Sequence, residues 1–177
     1  MTDSKLEVTL RFSDGQSITV SDKETVRRSG TLRNAVASEN PNWETESTVI
    51  SAPLEVPFPS AAGRFLIDNI GKYTPVNQLG RPARLEDYPE ANLCELDQLR
   101  DVIELSNFLE CLGFVSCIGF VIARKLAVLS VDQIAEYMGV PVDTPEQLTN
   151  EGMGWREDPM DLDELRRIRN EQNQGRQ

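Results

Sequence analysis

LDQLRDVIELSNFLECLGFVSCIGFVIARKLAVL, residues 96–129, is the stretch on which the fold turns. In its first half Leu96, Leu99, Val102, Ile103 and Leu109 recur at helical spacing, with Arg100, Asp101 and Glu104 left for the wetted side. The second half differs. From Cys111 to Ala123 there is no charge, and Ser116 carries the only hydroxyl. A helix that is apolar all the way round has to be covered on every side. A bilayer would cover it, but the run is shorter than the roughly 20 residues a spanning helix needs. Arg124 and Lys125 then close it. The stretch reads as a central core helix, part of whose surface lies under other helices or waits for a partner.

With 177 residues the chain has room for one real core, or for one domain with a helical extension. The net charge of −11 speaks against a nucleic-acid partner, because neutralising phosphates takes clustered Lys and Arg. It suits a well-solvated exterior and partners with basic surfaces. No membrane partner is expected. The amino terminus, MTDSKLEVTL, has no apolar h-region and no small-residue cleavage site. Cys94, Cys111 and Cys117 make an odd count without metal-ligand spacing, and two of them lie in the apolar run. A reducing compartment, cytoplasm or nucleus, follows.

Histidine is absent. That removes the usual general base, the Ser-His and Cys-His dyads, and the commonest zinc ligand. No pair of acids stands out and no glycine loop cradles phosphate. The expectation is a chain that is not an enzyme and holds no metal or cofactor. Chemistry by carboxylates or by Cys94 is the remaining catalytic alternative.

Outward from the central stretch, Leu6, Val8 and Leu10 alternate with polar residues, Asp14-Gly15 signals a type I′ turn, and Ile18 and Val20 continue the period of two. A hairpin over 6–20 is expected. From Glu24 a helix is expected, with Val26, Leu32, Ala35 and Val36 on one face, Gly30 tolerated within it, and Ser38–Pro41 ending it. Trp43 in the next loop is either a contact or an anchor. Short edge strands are expected in 48–56. Ser60 is the expected N-cap of a helix carrying Phe65, Leu66, Ile70 and Tyr73.

Thr74–Asn92, with Pro75, Gly80, Pro82 and Pro89, reads as a long surface loop. From Glu86 through Glu110 acids dominate and Arg100 is the only base, which either steers a basic partner or is plain solvated surface. Ser130 is the expected N-cap of a short helix, Val131–Met138, that buries Ile134 and Met138 and stops at Gly139. A last helix opens at Asp161, with Leu162, Leu165 and Ile168 as its stripe.

Several blocks then look familiar. Leu10-Arg11-Phe12-Ser13-Asp14-Gly15 with Ile18 and Val20 resembles the opening "L-x-S-x-D-G" hairpin of the Skp-type adaptors of cullin-RING (SCF) ubiquitin ligases. These are BTB/POZ-fold proteins, a family that includes elongin C. Val26–Leu32 is similar to the family's first helix, and Pro57-Phe58-Pro59 to its "P-L-P" entry. Leu105–Phe114 (LSNFLECLGF) is similar to "A-A-N-Y-L-D-I-x-G-L", with Asn107, Leu109 and Gly113 in register. Ser130–Met138 is similar to "T-P-E-E-I-R-x-x-F", and Met160–Gln172 to "F-T-x-E-E-E-x-x-V-R-x-E-N". The chain departs from the family in the Pro- and Arg-bearing segment 74–84, in roughly fifteen extra residues between Met138 and Met160, and in Gln174 where the family has tryptophan.

The resemblance implies an α+β fold: a BTB/POZ-like body over 1–128, with a small N-terminal hairpin sheet covered by helices, and a helical extension over 129–177. It implies a non-catalytic adaptor that couples an F-box protein to a cullin. Asn107 and Phe108 would face the cullin, with phenylalanine replacing the family's tyrosine. For Asn107 a helix C-cap, and for Phe108 a core ring, are the alternatives from structure alone. Val115, Ile118, Ile122, Ile134, Met138, Met160, Leu165 and Ile168 would form the F-box side. A self-associating homodimeric module without a ligase role is the other outcome the fold allows.

Overall fold

The computed structural model describes residues 5–139. Strand β1, Leu6–Phe12, buries Leu6, Val8, Leu10 and Phe12 as the period of two demands. It is the spine of a four-stranded sheet. β2, Ser17–Val20, pairs antiparallel along one edge, Val8 opposite Val20 and Leu10 opposite Ile18. Along the other edge two short strands run parallel to it, β3 (Thr48–Val49) beside Leu6–Glu7 and β4 (Leu54–Val56) beside Leu10–Phe12. Helices pack on this sheet, so the class is α+β, as the sequence implied.

The hairpin forms, but its turn is not type I′. Only Gly15 has positive φ (+78°), whereas type I′ requires it at both central residues. Gly15 N–H donates to the Phe12 carbonyl at 2.9 Å, and Phe12 N–H donates to the Gln16 carbonyl at 2.8 Å. This is a three-residue loop closed by a left-handed glycine. Its Asp14 carboxylate accepts from the backbone N–H of Ser60 at 3.0 Å and from the Ser60 hydroxyl at 2.7 Å. Ser60 is therefore not the N-cap of α3 (Ser60–Asn69) but its first residue, capped from the hairpin. The two Ser60 bonds hold the Asp14 carboxyl below its usual range.

Two helices stand where one was expected: α1, Lys23–Arg28, and α2, Gly30–Glu39. Ser29 between them has extended φ/ψ, and its hydroxyl accepts from Leu32 N–H as the N-cap of α2. Gly30 is thus the first residue of α2 rather than a passenger in mid-helix.

What fixes the break lies far along the chain, where the central stretch is itself two helices, α5 (Leu96–Phe108) and α6 (Leu112–Leu126). α5 ends in a Schellman motif: Glu110 N–H donates to the Asn107 carbonyl and Cys111 N–H to the Ser106 carbonyl. The carbonyls left over cap α2. Gly30 N–H reaches Glu110 O and Thr31 N–H reaches Leu109 O, both at 3.3 Å, and the Ser29 hydroxyl donates to Leu109 O at 2.6 Å. A positive helix end meets a negative one.

The left-handed residue of that motif is Glu110 (φ +56°), the only non-glycine with positive φ among the described residues. Holding a non-glycine in αL costs roughly 1–2 kcal/mol, and the extra chain freedom that glycine loses on folding takes back roughly 0.5–1 kcal/mol. Glu110→Gly is therefore expected to stabilise by about 0.5–1 kcal/mol in urea titrations. A Cβ on Gly30 would overlap the Cβ and carboxylate of Glu110. Gly30→Ala should then destabilise the native chain and be relieved in the Glu110→Gly background.

Thr74–Asn92 is not a surface loop. Two 3₁₀ turns (Val76–Gln78 and Leu85–Asp87) and the short helix α4 (Pro89–Leu93) carry it back onto the body. Tyr88 and Ala91 are fully buried. Trp43 is 4% exposed and anchors its loop.

The chain divides into two compact units between Leu129 and Ser130. The first holds the sheet and α1–α6. In the second, α7 (Val131–Met138) has the expected capping box of Ser130 and Gln133, and it ends on Gly139 in the left-handed conformation. Its Met138 is not buried. As the helix's last residue, one step before the stop, it is 62% exposed, while Ile134 is half-buried. The expected helix after Asp161 lies outside the described residues.

Candidate functional site

α5 delivers its last turn to the surface with little freedom, because the α2 junction clamps the carbonyls that follow it. Thr31 adds a hydroxyl bond to the Phe108 carbonyl at 3.1 Å. Asn107 is exposed. It is not the C-cap, which is Leu109. Phe108 is not a core ring: it stands 42% exposed, with the Phe58 ring edge-on at 5.7 Å and 62°. Phe58, half-buried against the core, is not singled out as a partner by the sequence, where Pro57 and Pro59 around it signal only a short edge strand. Leu112, just past the turn, is 71% exposed. A partner covering them would order only their side chains, since the backbone beneath is already held.

α6 is covered more fully than its composition suggested. Phe114, Cys117, Ile118 and Val121 face the core, and Ile118 has no accessible surface. Ile118 therefore belongs to the core and not to a partner-facing stripe, since a side chain closed in on all sides offers no contact. Val115 and Ile122 remain half-buried. Ile134 and Met138 lie in the second unit, and Met160, Leu165 and Ile168 lie outside the described residues.

The thiols sit in settings that oppose ionisation. Burial pushes the Cys111 thiol up to about 11 and also raises Cys117 and Cys94. Cys94, half-buried, donates from Sγ to the Glu90 carbonyl at 3.4 Å. Among the described residues no cluster of three or more Cys, Asp or Glu could hold a metal ion, and no helix is long and apolar enough to cross a membrane. No known protein-family model matches the chain, and no curated protein sequence does.

Proposed function

We propose that this chain is a non-catalytic adaptor of the SCF type, coupling an F-box substrate receptor to a cullin in the cytoplasm or nucleus. One observation carries it. The block most similar to the Skp-type adaptors, Leu105–Phe114, ends a helix whose last turn holds Asn107 and a half-exposed Phe108 outward. Phe108, backed by Phe58, is the anchor for the cullin. The raised thiol pKa values support a role without covalent chemistry. On the F-box side the candidates are Val115 and Ile122 of the first unit, Ile134 and Met138 of the second, and, later in the sequence, Met160, Leu165 and Ile168.

Binding of the purified full chain to a cullin N-terminal domain tests the first half. Phe108→Glu should weaken it at least about tenfold, because hot spots are desolvated aromatics, with circular dichroism unchanged. Ile168→Asp should reduce pull-down of an F-box peptide while the body stays folded. Undiminished binding by both variants would remove the assignment. A homodimeric module is the second reading, favoured by β2, which pairs only with β1 and so forms a sheet edge among the described residues. Light scattering of the chain alone, and with an F-box protein added, separates the two.

A further inference from the structure

Between α3 and α5 runs a groove of about 110 Å³. Ala61 and Phe65 of α3 form one wall, and Gln98, Asp101 and Val102 of α5 the other. Its lining is mostly apolar, with no lysine or arginine. A cavity of roughly 150 Å³ accepts a benzene ring, so this one has room for a single aliphatic or thioether side chain.

The charge around the groove has one dominant sign. Asp101 lines it, Asp68, Asp97 and Glu104 are exposed on the same two helices, and Glu95 is exposed as the N-cap of α5. Against them stand three cations: Arg64, which donates to the neutral Gln16 side chain at 2.8 Å and keeps its charge, Arg100, paired with Asp97 at 3.4 Å, and Lys125, which donates to the Asn92 carbonyl at 2.8 Å close to Cys94. Asp101 in the lining and the surplus of acids on these helices disfavour phosphates, and a second copy of a chain with net charge −11 fits poorly here.

We propose that this groove seats one apolar side chain of a lysine- or arginine-rich amphipathic segment of a partner protein, whose cations meet Asp101 and the exposed acids of the two flanking helices. The stripe of α5 that lines the groove leads, two turns on, to Phe108, and Pro59 of its wall adjoins Phe58. A bound segment has an exposed aromatic at its far end to rest on. The proposal holds with or without the adaptor role, and its test uses neither a cullin nor an F-box protein.

Cys94 lines the groove and is half-buried, whereas Cys111 and Cys117 are buried, so its alkylation rate reports occupancy in the full-length chain. The probes are two model helical peptides, one of leucine and lysine and one of leucine and glutamate, both with leucine at helical spacing. The Leu/Lys peptide should slow alkylation of Cys94 severalfold and the Leu/Glu peptide should not. The protection should fade about tenfold in peptide affinity as salt approaches ~0.5 M. Asp101→Lys, which reverses the charge, and Ala61→Phe, which fills the groove from an exposed position, should each abolish protection. Asp101→Asn serves where a bulkier change disturbs folding, and should weaken it. Equal protection by both peptides, protection by neither, or protection indifferent to these variants overturns the proposal.

Discussion

Tyr88→Ala is expected to lower the folding stability of this chain by about 3–5 kcal/mol, the range for emptying a buried aromatic site. Tyr88 has no accessible surface. Its ring is edge-on to Tyr73 at 5.2 Å and to Phe120 at 5.9 Å, so it joins the segment after α3 to α6. Its hydroxyl donates to the Thr74 carbonyl at 3.0 Å. Tyr88→Phe keeps the ring and loses that bond, at a cost of about 1 kcal/mol. The Thr74 carbonyl is not orphaned, since the Cys117 thiol also reaches it at 3.5 Å. Urea denaturation of the two variants gives the ratio. If residues 74–92 were a solvated loop, both changes would fall within about 0.5 kcal/mol of the native chain.

The second large effect is expected at Gly63. In an exposed helix interior, alanine for glycine gains about 1 kcal/mol. At Gly63 the sign reverses. A Cβ there would run into the ring of Phe12, which is 3% exposed in β1 and has no room to swing away. Gly63→Ala is expected to destabilise by about 1–2 kcal/mol and Gly63→Val by about 3 kcal/mol, the cost of overpacking a filled core. Phe12→Leu shortens the obstructing side chain. In the double mutant Gly63→Ala/Phe12→Leu the two penalties should couple by about 1–2 kcal/mol, less than their sum, as a double-mutant cycle would show. Additive penalties would mean that α3 does not touch β1 through this glycine.

Much of the fold was legible from local pattern. The inward set Leu6, Val8 and Leu10 came from alternation, and the limits of α7 from Ser130 and Gly139. These signals act over one or two turns, where side-chain period and capping chemistry operate. The misses share a cause. Ser60 was credited with a cap that Asp14, 46 positions earlier, supplies. Thr74–Asn92 reads as a surface loop because its prolines and glycine mark bends, and bends do not reveal that Tyr88 is packed beneath them. Ile118 was assigned outward since an uncharged helix shows no polar side from which to orient it. For the candidate site, Asn107 and Phe108 could be singled out, but their exposure could not: it depends on the break at Glu110.

Sequence alone determined the hairpin and the uncharged helix, because each follows from hydrophobic period and the length of a run, while the α+β class was implied by the resemblance of its motif blocks. Tertiary structure alone decided where the helices break and which faces stay outside. The α2 start is set by a Ser29 hydroxyl that finds its carbonyl 80 residues away at Leu109. A bond of that kind depends on the path of the whole chain, which no local spacing encodes.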